Sequence, residues 1–221
     1  MGDKLFALIK FGKEEHIRSL VDKGEVYLNS LDYFKNATNK EIGDKLEGAS
    51  LIVNMENFKM KIEHPILDKP LLLNGITGQI ANFSGDYTHC FSIYAVSSKL
   101  FEGKNCHKID VRMQEFGTHC AVIEKPHDFL KRILDAVKNL TGTYAWDFIT
   151  YHDFSKLGEH KPSHFDKTQE FSHQAEYRIL ARLNADEPLT LNIGNIADYC
   201  KVWETSKLLE ADWIVERGVA N

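Results

Sequence analysis

Apolar positions along the chain recur mostly at period two, the spacing of a strand with one buried face. In EFSHQAEYRILARL, residues 170–183, Ala175, Tyr177, Ile179, Ala181 and Leu183 fall on one face of an extended strand. Gln174, Glu176, Arg178 and Arg182 fall on the other, interrupted by Leu180. The same pattern predicts strands over 5–11, 25–29, 119–123 and 143–152, and in LTLNI and DYCKVW. Residues 49–90 read as several short strands (ASLIVNM, FKMKIE, KPLLLNG, DYTHCFSIYA) separated by Gly, Pro and Asn signals.

Helical spacing appears in four places. Ile17, Leu20 and Val21 mark a helix over 13–22 that stops at Gly24. Ser30 and Asp32 can cap a short turn that buries Leu31 and Phe34. A third helix is expected over 110–116. The fourth, over 128–140, presents Phe129, Ile133, Leu134 and Val137 as an apolar stripe. Polar loops are expected at 36–48 and 153–168, and a polar tail at the end. Strands dominate and steady βαβ alternation is absent. The expected fold is α+β, with mixed or antiparallel sheets and a few helices, as a single domain over 1–221.

Composition narrows this little. The chain has 221 residues, 43% hydrophobic and 27% charged, enough for a sizeable core. A net charge of -5 argues against strong sequence-independent nucleic-acid binding but leaves room for a local basic groove. Cys90, Cys106, Cys120 and Cys200 form no C-x-x-C pair and read as free, buried thiols in a reducing cytosol. No apolar run is long enough for a transmembrane helix, and the start does not resemble a signal peptide. A soluble, cytoplasmic protein without a membrane partner is expected.

Several familiar chemistries are missing from the sequence: G-x-G-x-x-G, the P-loop, H-E-x-x-H and G-x-S-x-G do not occur. The ten histidines lack ligand spacing, so no metal is expected. His89 and Cys90 point to opposite faces of a strand and cannot form a nucleophilic pair.

Three pieces remain: Lys10 on the first strand, HCFSIY over 89–94 in the middle, and Gln174 with Glu176 at i, i+2 on the late strand. Each also has a plainer reading. Glu176, Arg178 and Arg182 suit a solvated, salt-bridged face. Lys10 suits a strand end from which its ammonium reaches water. Ser92 suits a bond to backbone. Tyr33 and Phe34 suit core packing, and Gly43, Asp44 and Gly48 suit a turn.

Taken together, the three pieces resemble the ADP-ribosyltransferase superfamily. Its members place a basic residue or His on an early strand, a Ser or Tyr on a middle strand and a Glu on a late strand. One branch carries Gln/Glu-x-Glu, as in Gln174-Ala175-Glu176. KFGKEEHIRSLVDKGEVYLNSLDYF, the string GDKLEG at 43–48 and Glu176-Tyr177-Arg178 are also similar to a bacterial group linked to phage defence. The family's first-strand residue is usually Arg or His. Here it would be Lys10, with Arg18 or Arg112 as other sources of the cation.

The resemblance implies a split β-sandwich and NAD as substrate, with no metal. Cleaving nicotinamide from NAD passes through an oxocarbenium-like sugar cation. Glu176 would stabilise that cation through the ribose, and Gln174 would orient the acceptor. Lys10 would meet the pyrophosphate, and Ser92, Tyr94, Tyr33 and Phe34 would form the nicotinamide slot. The acceptor would be a nucleic acid or protein, recognised by the loop over 151–167, where Tyr151, Phe154 or Phe165 can stack a base. The role implied is an intracellular toxin or phage-defence effector, with an antitoxin or regulator as possible partner. The alternatives are an NAD glycohydrolase and a non-catalytic nucleotide- or protein-binding module, such as an antitoxin or inhibitor. Because Glu176 and Gln174 fall on the polar face, both are expected to be dispensable for folding, unlike Tyr177 and Ile179.

Overall fold

A sheet that forks along one shared strand organises the computed structural model, which describes residues 3–83, 88–140, 142–183 and 187–216. Strand β1 (Leu5–Gly12) leads into α1 (Glu14–Arg18) and a π turn (Ser19–Lys23). Gly24 closes that turn at φ 72°, and a side chain there would collide with the backbone of Gly194. Next come β2 (Glu25–Ser30) and α2 (Leu31–Asn36), the latter capped by the Ser30 hydroxyl accepting from Tyr33 N–H.

A long hairpin follows, β3 (Ala49–Ile62) and β4 (Leu71–Phe83), then β5 (Thr88–Ser97), β6 (Cys106–His107) and β7 (His119–Ile123). Helix α3 (Pro126–Lys138) precedes β8 (Thr143–Phe148), β9 (Thr150–His152), β10 (Gly158–His160) and β11 (Asp166–Thr168). The chain continues through β12 (Glu176–Arg182), β13 (Leu189–Asn192), β14 (Cys200–Glu204), α4 (Thr205–Glu210) and β15 (Trp213–Ile214). The architecture is mixed α/β with few helices. Pairing is antiparallel throughout the described strands except between β9 and β11.

The main sheet turns on β5. Along one edge β5 pairs with β12, which pairs in turn with β8. Along the other edge it has two partners in succession. β1 pairs with its C-terminal half, ending at Ile9↔Tyr94, and β2 joins near its start, at Asn29↔Cys90 and Ser30↔His89. β1 carries on to β7 and β14, and β2 to β13. Residues Phe91, Ser92 and Ile93 therefore lie where the two branches part.

One sheet face carries Leu8, Phe91, Ile93, Ile123 and Ile179, and it packs on the α3 side chains Phe129, Ile133 and Val137. The opposite face is divided. Ile9, Phe11, Tyr94 and Val122 pack with Met113 and Leu208. Further along, Leu31, Cys90 and Leu180 form a smaller cluster against Phe34 and Phe165.

Several expected elements change. The region read as many short strands is largely one hairpin, because register shifts near Asn57 and Gly75 interrupt the alternation without ending the ladder. The strand over 143–152 breaks at Ile149, whose N–H turns to the carbonyl of Glu176. The helix over 13–22 is five α residues followed by a π turn, and that over 110–116 is a 3₁₀ segment capped by Asp110. The loop over 153–168 holds two short strands, and the polar tail holds α4 and β15. Cys106 is exposed, whereas the other three cysteines are buried.

Candidate functional site

Register places four polar or aromatic residues on one face. Glu176 lies opposite Tyr94, and Arg178 lies opposite Ser92. Along this face the polar residues sit between the Ile9–Phe11 cluster and the Cys90–Leu180 cluster. Glu176 and Arg178 are both buried, Arg178 to 1% exposure. The solvated, salt-bridged surface that the sequence also allowed is thus overturned for Glu176 and Arg178, while Arg182, at the end of β12, is exposed.

Burial of these charges is matched by close partners. Glu176 Oε1 accepts from Lys167 Nζ at 2.7 Å, and Oε2 accepts from Arg178 Nε at 3.1 Å. The Arg178 fork donates to both oxygens of Glu47 at 2.7 Å and to the carbonyl of His164 at 3.0 Å. Burial alone would raise the Glu176 pKa. Lys167 and Arg178 outweigh it and hold the carboxyl well below the usual carboxylate range. Glu176 is therefore ionised. A carboxylate offers about four acceptor positions, and these two donors leave room for another.

Gln174 is not on the strand. It ends a 3₁₀ segment, Gln169–Gln174, and Ala175 follows in the left-handed region at φ 39°. The period-two reading fails there because that turn rotates the chain before β12 starts. The side chain still reaches the network: Oε1 accepts from Lys167 Nζ at 2.8 Å, and Nε2 donates to the carbonyl of Glu41 at 2.6 Å.

Lys10 approaches from the other branch of the fork. Strand alternation directs it away from the face of Glu176, and its ammonium lies 4.5 Å from the centre of the Phe91 ring. Its Nζ donates to the carbonyl of Ser92 at 2.6 Å, on the β5 edge that neither β1 nor β2 covers. Burial lowers its pKa to about 8, against the opposing pull of Cys90 and Glu176.

A cleft of about 770 Å³ occupies the fork. Glu176, Gln174, Lys10, Ser92, Tyr94, Tyr33 and Phe34 all line it, so the fold brings every candidate residue to one cavity. Their availability differs. Tyr94 is buried, with its hydroxyl 2.8 Å from His107 Nε2 and its ring edge-on to Phe11. Tyr33 is exposed and stands edge-on to Phe34 at 5.4 Å. Arg18 and Arg112 are bound to Glu14 and Asp110 beside them, and neither lines the cleft.

Four participants were not among the expected site residues in these roles. Glu47 and Lys167 lay in segments read as polar loops, where a charged residue ordinarily faces water. The sole signal for Glu47 was its place in GDKLEG. Asp44, in the same string, is buried and pushed up to about 6, mainly by burial, while accepting from Leu46 N–H. Tyr151 was expected to stack a base. Instead its hydroxyl accepts from the backbone N–H of Glu176 at 3.0 Å, and burial pushes its own pKa far up. Phe154 is packed in a small core with Ala49 and Ile52 and cannot offer its ring to a base. Phe165 is half-buried against Leu31 and Leu180.

Burial also raises the Cys90 pKa, which disfavours a thiolate nucleophile. Among the described residues, no group of three or more His, Cys, Asp or Glu side chains is placed to hold a metal ion, and no helix is long and apolar enough to cross a membrane. Compared with family models, curated proteins and solved structures, the chain matches none.

Proposed function

We propose that this chain is an NAD-dependent ADP-ribosyltransferase with an ADP-ribosyltransferase-like split β-sandwich fold. It would act as an intracellular toxin or phage-defence effector on a nucleic acid or protein acceptor. The observation that carries this reading is an ionised, buried carboxylate, Glu176, on the wall of a cleft that opens where two sheet branches leave one strand. The effector role rests on the resemblance of the N-terminal segment and GDKLEG.

The residues suit NAD as substrate. The cleft is within the range of small-molecule sites. Lys10 supplies a cation for the pyrophosphate, and Tyr33 and Phe34 supply aromatic surface for the nicotinamide. The glycosidic bond breaks with its electron pair leaving on nicotinamide, which departs neutral, and positive charge develops on the ribose. An open acceptor position of Glu176 takes the ribose 2′-hydroxyl, and its negative charge stabilises that cation. Lys167 and Arg178 hold the carboxylate in place and keep it ionised. The acceptor then attacks the sugar carbon and loses a proton to solvent or to a nearby base.

One observation favours a second reading, a non-catalytic nucleotide-binding module. Both oxygens of Glu176 are already engaged by cations, as in a structural ion-pair network. Incubation with labelled NAD and separate pools of RNA, DNA and protein distinguishes the outcomes. Label retained by one pool, and lost in Glu176→Gln, is the expected result. Free ADP-ribose without a labelled pool identifies an NAD glycohydrolase. NAD left intact by the folded protein overturns both enzymatic readings.

A further inference from the structure

The hairpin of β3 and β4 presents an apolar face that nothing in the described chain covers. Cross-strand partners share a face, so the pairs Phe58↔Ile76, Met60↔Leu73 and Ile62↔Leu71 place six apolar side chains together. Five of the six are exposed, although a one-sided hairpin normally buries such a stripe. The reverse face carries Lys59, Lys61 and Leu72, the last two directly opposite each other. The arm is therefore amphipathic along its outer half.

We propose that this face is a dimerisation surface, packed against the same face of a second copy of the chain. Three features select that occupant. The stripe carries no charge, so a nucleic acid finds no cation on it. The chain's net charge is -5 and the arm's lysines point away from the stripe, which opposes an anionic membrane. A two-fold axis sets a surface against itself, and an uncharged stripe meets its own copy without repulsion. This one is neutral, and β4 from Leu71 to Phe83 contains no charged residue at all.

The area fits a modest dimer. Six half-exposed apolar side chains present roughly 400–500 Å² per arm. Two such faces bury about 800–1,000 Å² in all, at the low end for specific association. The dimer is therefore concentration-dependent. This inference is independent of the enzymatic reading.

Sedimentation equilibrium on the full chain tests it. A reversible monomer–dimer equilibrium is expected. Leu73→Glu, on the stripe, raises the dissociation constant by about tenfold or more. Met60→Glu repeats the effect from the other strand. Leu72→Glu introduces the same charge at a more exposed position, 64% against 38% for Leu73, but on the reverse face, and leaves the equilibrium unchanged. All three residues are exposed, so each variant retains the wild-type melting temperature at concentrations where the chain is monomeric. A chain that stays monomeric up to about 100 µM, well above the concentration that a weak specific contact requires, overturns the proposal. So does dissociation by Leu72→Glu rather than Leu73→Glu, or monomers that float with vesicles of phosphatidylserine and phosphatidylcholine.

Discussion

Arg178 and Glu47, 131 residues apart in sequence, form a bidentate ion pair through two hydrogen bonds of 2.7 Å, with both side chains almost fully buried. The pair ties the loop after α2 to the central strand β12. Its charges are also what fix Glu176, since the same guanidinium spends its Nε on that carboxylate. Removing one partner leaves the other buried and unpaired. Glu47→Gln is expected to cost about 3–5 kcal/mol in urea unfolding. A loss below about 1 kcal/mol, typical of an exposed pair, would show that the fork is solvated.

Glu176 was expected from its polar strand face to be dispensable for folding. Its burial between Lys167 and Arg178 reverses that expectation. Glu176→Gln should destabilise by about 2–4 kcal/mol, because two cations lose their counter-charge. Ile179→Ala should cost a similar amount, about 2–5 kcal/mol, by leaving a cavity. Parallel urea titrations check both values. Activity of the Glu176 variant must therefore be normalised to its folded fraction.

Asp44 supplies a pH dependence of stability. Burial raises its pKa from 3.8 to about 6, so the folded chain binds this proton more tightly than the unfolded chain. Its contribution is fully present below pH 3.8 and is lost as pH rises through about 6. The loss is roughly 2–3 kcal/mol. Asp44→Asn keeps the acceptor for Leu46 N–H, and it should flatten the decline between about pH 4 and pH 6. Unfolding curves across that window, with and without the substitution, measure the difference.

Lys10 has the opposite perturbation, a base lowered to about 8. Its charge is present below that pH and fades above it. Binding of ADP-ribose, followed by calorimetry, should weaken as pH rises through about 8, and Lys10→Met should be weaker and flat over the same range. Folding stability should move the other way, rising between pH 8 and 10.5 as the buried amine loses its charge more readily than in the unfolded chain.

Ala175 adopts φ 39°, where a Cβ is unfavourable. Ala175→Gly removes that conflict at the expense of a more flexible unfolded chain and a small apolar contact. The net effect should lie within about 1 kcal/mol of neutral. Ala175→Val should destabilise clearly, since a branched side chain resists this conformation. Thermal melts of the two variants give the comparison.

The elements legible in sequence were those whose signals are local. Gly24 ends the first helical segment, Ser30 caps the next, and the Phe129–Val137 stripe seats α3 on the sheet. The fork was not legible, because it depends on β1 and β2 sharing one edge of β5. Glu47 and Lys167 were hidden for the same reason. Each is a charged residue in a polar segment, and only the tertiary pairing turns it inward. Gln174 reads as part of β12 because Ala is an uncommon residue for a left-handed turn, so nothing in QAE marks the bend. The β3–β4 hairpin reads as several short strands because Asn57 and Gly75 look like strand ends, whereas both are bulges.

The fork also has a mechanical meaning. On one side of β5, β1 and β2 are both held by the same strand, with a gap between them where Lys10 reaches the carbonyl of Ser92. A molecule seated in that gap becomes a splint that braces two branches otherwise joined through β5 and through the α1 connection. Occupancy and resistance to unfolding are then a single thermodynamic quantity, and whatever fills the cleft announces itself by raising the melting temperature of the whole chain.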